Sequence, residues 1–134
     1  MEGGRRPGKG LHWDSMPEDT LVEPLFEREP DCAPGPFYVK KGACILCALP
    51  PNIAPQNFTW SASTFRRACG EDCPTHCRIE RQPQTAEELD QVIEAACGSC
   101  VEAIRYCGAD PKILARFRDL SYERLCDAMA PHGA

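Results

Sequence analysis

Two cysteines that stand two residues apart, Cys44 and Cys47, are the side chains of this sequence best suited to chemistry. Their spacing lets both sulfurs face one metal centre, because thiolate ligands have to converge from a short, bent stretch of backbone. The pair fits an iron–sulfur cluster, a zinc site or a redox dithiol. Cys100 joins them if the strand after it runs antiparallel to the strand before the loop, since antiparallel neighbours bring the end of one beside the start of the other.

A second group of candidate ligands surrounds the segment 61–76, which we predict to be a loop. Cys69, Cys73, His76 and Cys77 combine thiolate and imidazole donors, which suit tetrahedral zinc, although a spacing of three residues is less typical than two. The competing interpretation is a set of partly exposed thiols that bind no metal. Three further cysteines are isolated in the sequence, and we expect each to act as a small buried apolar residue: Cys32, Cys107 and Cys126.

The composition limits the class of protein. The chain has 134 residues with ten cysteines and a formal net charge of −5. This charge disfavours nucleic acid as a partner, because proteins that bind phosphate backbones present a basic surface. No stretch approaches the roughly 20 apolar residues that cross a bilayer, and the first residues lack the apolar segment of a signal peptide. We therefore expect a cytoplasmic protein with no membrane partner, whose reduced cysteines bind metal rather than form disulfides.

The polypeptide itself shows little that suits catalysis. Its three histidines, His12, His76 and His132, stand beside no nucleophile and acid pair. The glycines at positions 3, 4, 8 and 10 lack the preceding strand and following helix of a nucleotide-binding loop. We predict that the chain is not an enzyme.

Short elements are expected to position the cysteines. Hydrophobic alternation and turn residues predict strands at 37–39, 58–60, 77–81 and 101–106, with a helical turn at 53–58. Thr85 and Glu88 form a capping box that opens a helix, because the two residues can satisfy each other's exposed amides. The apolar stripe of this helix consists of Leu89, Val92, Ile93, Ala96, Cys97 and Cys100.

A last helix begins at Asp110 and Pro111, an N-cap followed by a proline at the first helical position. Its apolar side consists of Ile113, Leu114, Phe117, Leu120 and Leu125. The element order is β-α-β-β-α-β with a C-terminal helix, which predicts a ferredoxin-like α+β sandwich. We divide the chain into a disordered or loosely docked leader at 1–31, an iron–sulfur domain at 32–108 and a C-terminal helix at 109–134 that packs on the domain.

The stretch from Pro36 to Tyr106 resembles a divergent bacterial-type ferredoxin with a single [4Fe–4S] cluster. Phe37-Tyr38-Val39 is similar to the strand before the cluster loop, and Cys44-Ile-Leu-Cys47-Ala-Leu is similar to that loop, with Ala54-Pro55 after it. Cys100-Val-Glu-Ala-Ile resembles the closing Cys-Pro-Val-Glu-Ala-Ile of the family. The resemblance implies an iron–sulfur electron carrier that passes single electrons between partner redox enzymes.

Two positions depart from the family pattern. Pro50 stands where the third loop cysteine belongs, and Cys100 is followed by Val101 instead of proline. A [4Fe–4S] cluster normally takes four thiolates, and Cys77 is the first candidate, because Cys77-Arg-Ile-Glu-Arg-Gln-Pro resembles a ferredoxin subgroup without the third loop cysteine. Against it, the assumed topology puts the start of the third strand at the far end of the sheet from the end of the first. Cys97 and a [3Fe–4S] cluster held by three cysteines are the alternatives to the predicted set Cys44, Cys47, Cys77 and Cys100.

The segment from Glu87 to Glu102 carries five acids and no base: Glu87, Glu88, Asp90, Glu94 and Glu102. We call it the acidic stretch. Acids in a first helical turn complement the helix dipole, and the functional interpretation is a docking patch that steers a basic redox partner. A zinc-binding structural or interaction module using the same cysteines is the alternative function. Thiol–disulfide exchange at Cys44 and Cys47 is disfavoured, because the loop does not open a helix in a βαβ setting.

Overall fold

A computed structural model describes residues 20–129. The fold is mixed α+β, and this coarse part of the predicted class is confirmed. Its helices are α1 (Leu49–Ile53), α2 (Ala86–Gly98) and α3 (Pro111–Asp119), followed by a 3₁₀ turn at Glu123–Leu125. Its strands are β1 (Phe37–Val39), β2 (Phe58–Trp60), β3 (Thr64–Arg66), β4 (Asp72–Pro74), β5 (Cys77–Ile79) and β6 (Ile104–Tyr106). No helix among these residues is long and apolar enough to cross a membrane.

The strands form antiparallel pairs, β1 with β6, β2 with β5 and β3 with β4. β1 also lies alongside β5, where the side chain of Gln82 accepts from the Phe37 amide at 3.0 Å and donates to the Phe37 carbonyl at 2.9 Å. The Ala33 amide donates to the carbonyl of Ile79 at 2.8 Å, so the end of β5 lies near the start of β1. The expectation that β5 begins at the far end of the sheet is therefore wrong. These neighbours run in opposite directions, which brings the first residue of β5 beside the end of β1.

The core forms where α1 and α2 pack against one face of the strands. Its aliphatic members on α2 are Leu89, Val92 and Ile93, each almost fully buried. The ring of Tyr106 on β6 stands between Phe37 and Phe117, with centroids 4.9 Å and 6.0 Å away. Because Phe117 belongs to α3, this aromatic contact joins the last helix to the sheet.

The predicted N-cap of α2 forms, with the amide of Glu88 donating to Thr85 Oγ1 at 3.1 Å. The reciprocal half of the capping box does not form. The Glu88 carboxylate instead accepts from the amide of Gln84 at 2.9 Å and pairs with Arg81. Glu88 is buried. Its carboxylate therefore links α2 to the segment before it and is not exposed to solvent.

Three elements differ from their predicted positions. The helical turn expected at 53–58 forms at Leu49–Ile53, since Pro50 and Pro51 occupy the first turn, where a missing amide costs no hydrogen bond. The segment predicted as a loop carries the hairpin of β3 and β4, whose residues are exposed or half-buried. α2 ends at Gly98, so Cys100 lies in the turn before β6.

The described part of the predicted leader, residues 20–31, is hydrogen-bonded to the sheet. The amide of Val22 donates to the Cys107 carbonyl, and the amide of Glu29 donates to the Val39 carbonyl, both at 2.8 Å. Positions 1–19 of the leader and 130–134 of the predicted C-terminal helix lie outside the described residues. The expectations for His12 and His132 lie there as well.

A charged cluster covers the face of β1 and β6 that is turned away from the core. Asp127 accepts from the hydroxyl of Tyr38 at 2.5 Å and from Arg105 Nε at 2.6 Å. All three side chains are buried, and we call them the clasp. The amide of Leu25 donates to Asp127 at 3.2 Å, so the clasp joins the leader, the sheet and the segment after α3.

Candidate metal centre

Four cysteines from different parts of the chain meet at one end of the sheet: Cys44, Cys47, Cys77 and Cys100. We call them the cysteine quartet. Cys44 and Cys47 lie in the loop between β1 and α1, Cys77 begins β5, and Cys100 lies between α2 and β6. The sulfur of Cys44 is 3.5 Å from that of Cys77, and Cys47 and Cys100 lie close enough to shift each other's pKa.

Cys44 is the most activated thiol of the quartet. Its sulfur is in hydrogen-bond contact with the Cys77 thiol and accepts from the amides of Leu46 at 3.4 Å and Cys77 at 3.3 Å. The Cys77 thiol, followed by the two amides, lowers the pKa of Cys44 to about 6 against the opposing effect of burial. The hydrogen bond to Cys44 and burial both raise the pKa of Cys77. The pair therefore favours one thiolate that accepts from one thiol.

The second pair repeats this arrangement closer to the surface. Burial opposes ionisation of Cys47, but the neighbouring amides of Cys100 and Leu49 lower its pKa below the ordinary value. The neighbouring Cys47 sulfur in turn raises the pKa of Cys100. The quartet thus holds two low-pKa sulfurs, each beside a protonated thiol.

The loop that carries Cys44 and Cys47 stores backbone strain. Leu46 and Ala48 adopt left-handed conformations, with φ of 63° and 69°. Such conformations cost non-glycine residues of order 1–3 kcal/mol and persist where the surroundings demand them. At Leu46 the result is an amide aimed at the Cys44 sulfur, which is the local geometry that a bound anion or thiolate requires.

The spacing of the sulfurs bears on which metal group they suit. The contact of 3.5 Å between Cys44 and Cys77 is close to the ligand separation in a zinc tetrahedron, about 3.8 Å for zinc–sulfur bonds near 2.3 Å. Among the described residues, however, no three cysteine sulfurs all lie within 4.8 Å of one another. A [4Fe–4S] cube needs sulfurs roughly 6–7 Å apart, so the quartet as a whole is wider than a zinc site while its closest pair is narrower than a cube.

Apolar side chains surround the quartet at the surface. Ile45, Leu49 and Val101 stand within two residues of its cysteines in the sequence and are 59%, 37% and 38% exposed. Cys100 is exposed too, whereas Cys77 is buried. A group held by the quartet would therefore have a buried side and a side close to solvent.

The other candidate for the fourth ligand, Cys97, faces a different environment. It is half-buried on α2, and burial raises its pKa. The charged groups that act on it are Arg124, Arg116 and Glu102, and none of the quartet is among them. The structure thus brings Cys77 to Cys44 and Cys47 and places Cys97 elsewhere.

The predicted zinc group of Cys69, Cys73, His76 and Cys77 does not assemble. Cys77 belongs to the quartet, and His76 Nε2 lies 3.0 Å from the carboxylate of Asp31. Cys69 is exposed in the β3–β4 hairpin, and Cys73 lies on β4. Cys73 pairs with Phe65 in the hairpin, Cys69 lies in the turn between its strands, and among the described residues the four side chains do not come together as a ligand group.

The three isolated cysteines were expected to be buried, and the structure places them in buried or partly buried positions. Cys107 and Cys126 are buried, and Cys32 is partly buried. Burial raises the pKa of Cys126 to about 12, as expected of a thiol that acts as a small apolar residue.

The acidic stretch is largely paired with arginine. Glu88 pairs with Arg81, Asp90 with Arg116 at 2.7 Å, and Glu102 with Arg124 at 2.5 Å. The net negative charge that this surface offers to a partner is therefore smaller than the sequence indicates.

Comparison with known proteins adds no relative. No protein-family model matches the chain, and neither the curated proteins nor the solved structures contain a match. The resemblance of the segments around Cys44 and Cys100 to ferredoxins accordingly stays a prediction.

Proposed function

We propose that this protein is a small electron carrier that holds one iron–sulfur cluster at the cysteine quartet and passes single electrons between partner redox proteins. The observation that carries the proposal is the meeting of four thiols from separate segments at one end of the sheet, with Cys44 and Cys77 in contact. Four cysteine sulfurs are the donor set of a [4Fe–4S] cluster. Pro50, which replaces the family's third loop cysteine, is then compensated by Cys77.

The chain's own groups suit this role. Cys44 and Cys47 have lowered pKa values, so they offer thiolates near neutral pH, while Cys77 and Cys100 would give up their protons when they bind a metal. The amides of Leu46 and Cys77 donate to the Cys44 sulfur and would remain to stabilise negative charge on it. When bound, an iron–sulfur cluster supplies reversible one-electron chemistry.

The arrangement of strands supports the ferredoxin-like part of the proposal. β6 pairs with β1, β2 pairs with β5, β1 packs beside β5, and α1 packs against α2. With the β3–β4 hairpin set aside as an insertion, the chain order is β-α-β-β-α-β. This order and these neighbours are what a ferredoxin-like sandwich requires.

The docking surface for redox partners is proposed to lie over the quartet. Ile45, Leu49 and Val101 form an exposed apolar rim beside its cysteines, and electron transfer is favoured when a partner approaches the centre closely. The acidic stretch, which contains Cys100 and Val101, is mostly neutralised by arginine, so its charges contribute less to docking than the rim.

A zinc-binding structural module is the second candidate function. The observation in its favour is the separation of 3.5 Å between Cys44 and Cys77, which matches a zinc tetrahedron better than a cube. Zinc would stabilise the fold through the same four cysteines but would supply no redox chemistry.

Metal analysis of protein purified without air separates the two candidates. We expect a brown protein with absorption in the blue region, about four iron and four sulfide ions per chain, and one-electron reduction by dithionite. A colourless protein with one zinc ion per chain would establish the alternative. A Cys44→Ser, Cys47→Ser double variant that retained its full iron content would contradict both.

The fourth ligand is tested by a matched pair of variants. Cys77→Ser should lose most of its iron and sulfide, because it removes one of four thiolates. Cys97→Ser, a substitution of the same chemistry on α2, should keep them. The reverse result would assign the fourth position to Cys97 and contradict the geometry of the quartet.

A further inference from the structure

Three ligand-bearing side chains meet at a second place, beside the cysteine quartet but made of other residues: Glu29, Asp31 and His76. We propose that they form a binding site for a divalent transition cation such as Zn²⁺, and we call them the cation triad. The proposal does not depend on the iron–sulfur function. Sequence analysis missed this site because Glu29 and Asp31 belong to the predicted leader, where no motif marks them.

The separations among the triad suit such a cation. His76 Nε2 lies 3.0 Å from both carboxylate oxygens of Asp31 and 3.7 Å from Glu29 Oε1. Zinc binds imidazole nitrogen and carboxylate oxygen at about 2.0–2.2 Å, which places neighbouring tetrahedral ligands roughly 3.3–3.6 Å apart. The observed separations bracket this range, so small side-chain movements would complete the three protein ligands.

Glu29 gives an independent indication of a ligand. Its side chain is only 8% exposed, and its Oε2 accepts from the amide of Gly42 at 2.9 Å. Its Oε1 makes no hydrogen bond to the residues that the structure describes, and it faces His76. Burying a carboxylate is costly unless its charge is paired, and a bound cation would supply that pairing for Glu29.

The environment of His76 fixes the ring in an orientation that a metal ligand needs. Its Nδ1 lies 3.0 Å from the hydroxyl of Thr75, so the other nitrogen is the one turned towards the carboxylates. Ligating histidines commonly have their second nitrogen held in this way. When Nδ1 carries the proton and donates to Thr75, the Nε2 lone pair points at Asp31, and a cation between them makes that contact favourable.

The backbone around the triad is anchored, and one side of the site is open. The Glu29 amide is paired with the Val39 carbonyl at 2.8 Å, and the His76 carbonyl accepts from the Ser61 amide at 2.9 Å. Asp31 is 35% exposed, whereas His76 is 14% exposed. A cation can therefore enter past Asp31 and keep water as its remaining ligand, the open position that three protein ligands leave.

Binding can be measured with Mn²⁺, which prefers oxygen and nitrogen ligands and has little affinity for thiolates. In a titration of the full chain followed by the electron spin resonance of free Mn²⁺, we expect one saturable site, from which Zn²⁺ displaces Mn²⁺. His76→Gln and Asp31→Asn should each weaken binding at least tenfold. Glu71→Gln, which removes an exposed acid from the hairpin, should leave binding unchanged.

A Cys44→Ser variant separates this site from the quartet. It should lose iron if the proposed function is right and retain the Mn²⁺ site if the cation triad is right, so the two proposals fail independently. The triad is ruled out if the wild-type chain shows no saturable site, or if His76→Gln and Asp31→Asn bind Mn²⁺ as the wild type does. Circular dichroism of each variant establishes that a loss of binding is not a loss of fold.

Discussion

Cys44 shows how neighbouring hydrogen-bonding groups can activate one side chain. A thiol and two amides donate to its sulfur, and each donor stabilises the thiolate more than the thiol. The group that lowers the pKa of Cys44 most is another cysteine, Cys77. The two residues therefore share a proton in the metal-free protein, and that proton leaves when a metal takes its place.

We expect the alkylation of Cys44 by iodoacetamide to reflect its pKa of about 6. Only the thiolate reacts, so the rate in metal-free protein should be nearly constant above neutral pH and fall by half near pH 6. For an ordinary thiol the rate would already have fallen by half near pH 8.5, because that is its pKa. Peptide mass spectrometry locates the label, and Cys44→Ser provides the background. A midpoint near that of an ordinary thiol would show that the donors do not act on this sulfur.

The same shift makes stability depend on pH in a defined direction. Because the folded pKa lies below the unfolded value, Cys44 contributes stability that is fully present above the unfolded pKa and is lost as pH falls to about 6. Urea midpoints of metal-free protein should therefore decline over this window. Cys44→Ser should decline less, and an equal decline in both proteins would assign the effect to other groups.

At the scale of single elements, the end of α3 contains a residue in an unfavourable conformation. Ser121 has φ of 65°, its amide donates to the Arg118 carbonyl, and the Tyr122 amide donates to the Phe117 carbonyl. These two bonds define a Schellman motif, in which glycine is the preferred residue at the left-handed position. Ser121→Gly should stabilise the protein by about 0.5–1 kcal/mol, measured by chemical denaturation. Ser121→Val should destabilise it, and the opposite order would contradict the assignment.

At the start of α2 we expect a substitution that destabilises the protein. Thr85 Oγ1 accepts from the Glu88 amide, and Thr85→Ala removes this cap at a cost of about 0.5–2 kcal/mol. Thr85→Ser keeps the hydroxyl and serves as the control, with a melting temperature near that of the parent. If Thr85→Ala melted with the parent as well, the cap would contribute nothing to stability.

Sequence patterns predicted some of these elements better than others. β1 and β2 form at the predicted residues, and α2 begins at its predicted cap, because local propensity and burial agree there. The β3–β4 hairpin was missed since its exposed strands show no hydrophobic alternation. The helical turn predicted at 53–58 forms instead at Leu49–Ile53, because the first turn of a helix tolerates Pro50 and Pro51. The objection to Cys77 as the fourth ligand assumed that β5 begins at the far end of the sheet. Only the contacts between β1 and β5, which the sequence does not show, correct this expectation.

At the scale of the whole molecule, the clasp joins segments that are far apart in the chain. Asp127→Asn should destabilise the protein by about 3–5 kcal/mol, because it leaves the buried Arg105 without its partner. Arg124→Gln breaks the solvent-exposed pair with Glu102 and should change the urea midpoint very little. Equal effects of the two variants would mean that burial does not determine how much these ion pairs contribute to stability.

Tyr38→Phe should lower the free energy of unfolding by about 1 kcal/mol, because it removes the hydrogen bond to Asp127.

The quartet also affects how the protein, with a cluster bound, would be inactivated. Its ligands come from three separate segments, so local opening of any one of them would expose the centre to solvent and oxygen. Iron–sulfur clusters decompose once released, and the native state cannot then re-form from the chain alone. Heat inactivation would accordingly be a kinetic event with a midpoint that moves with scan rate, rather than an equilibrium between two states. The lifetime of the protein in air, and not its free energy of unfolding, would then be the quantity that these four cysteines determine.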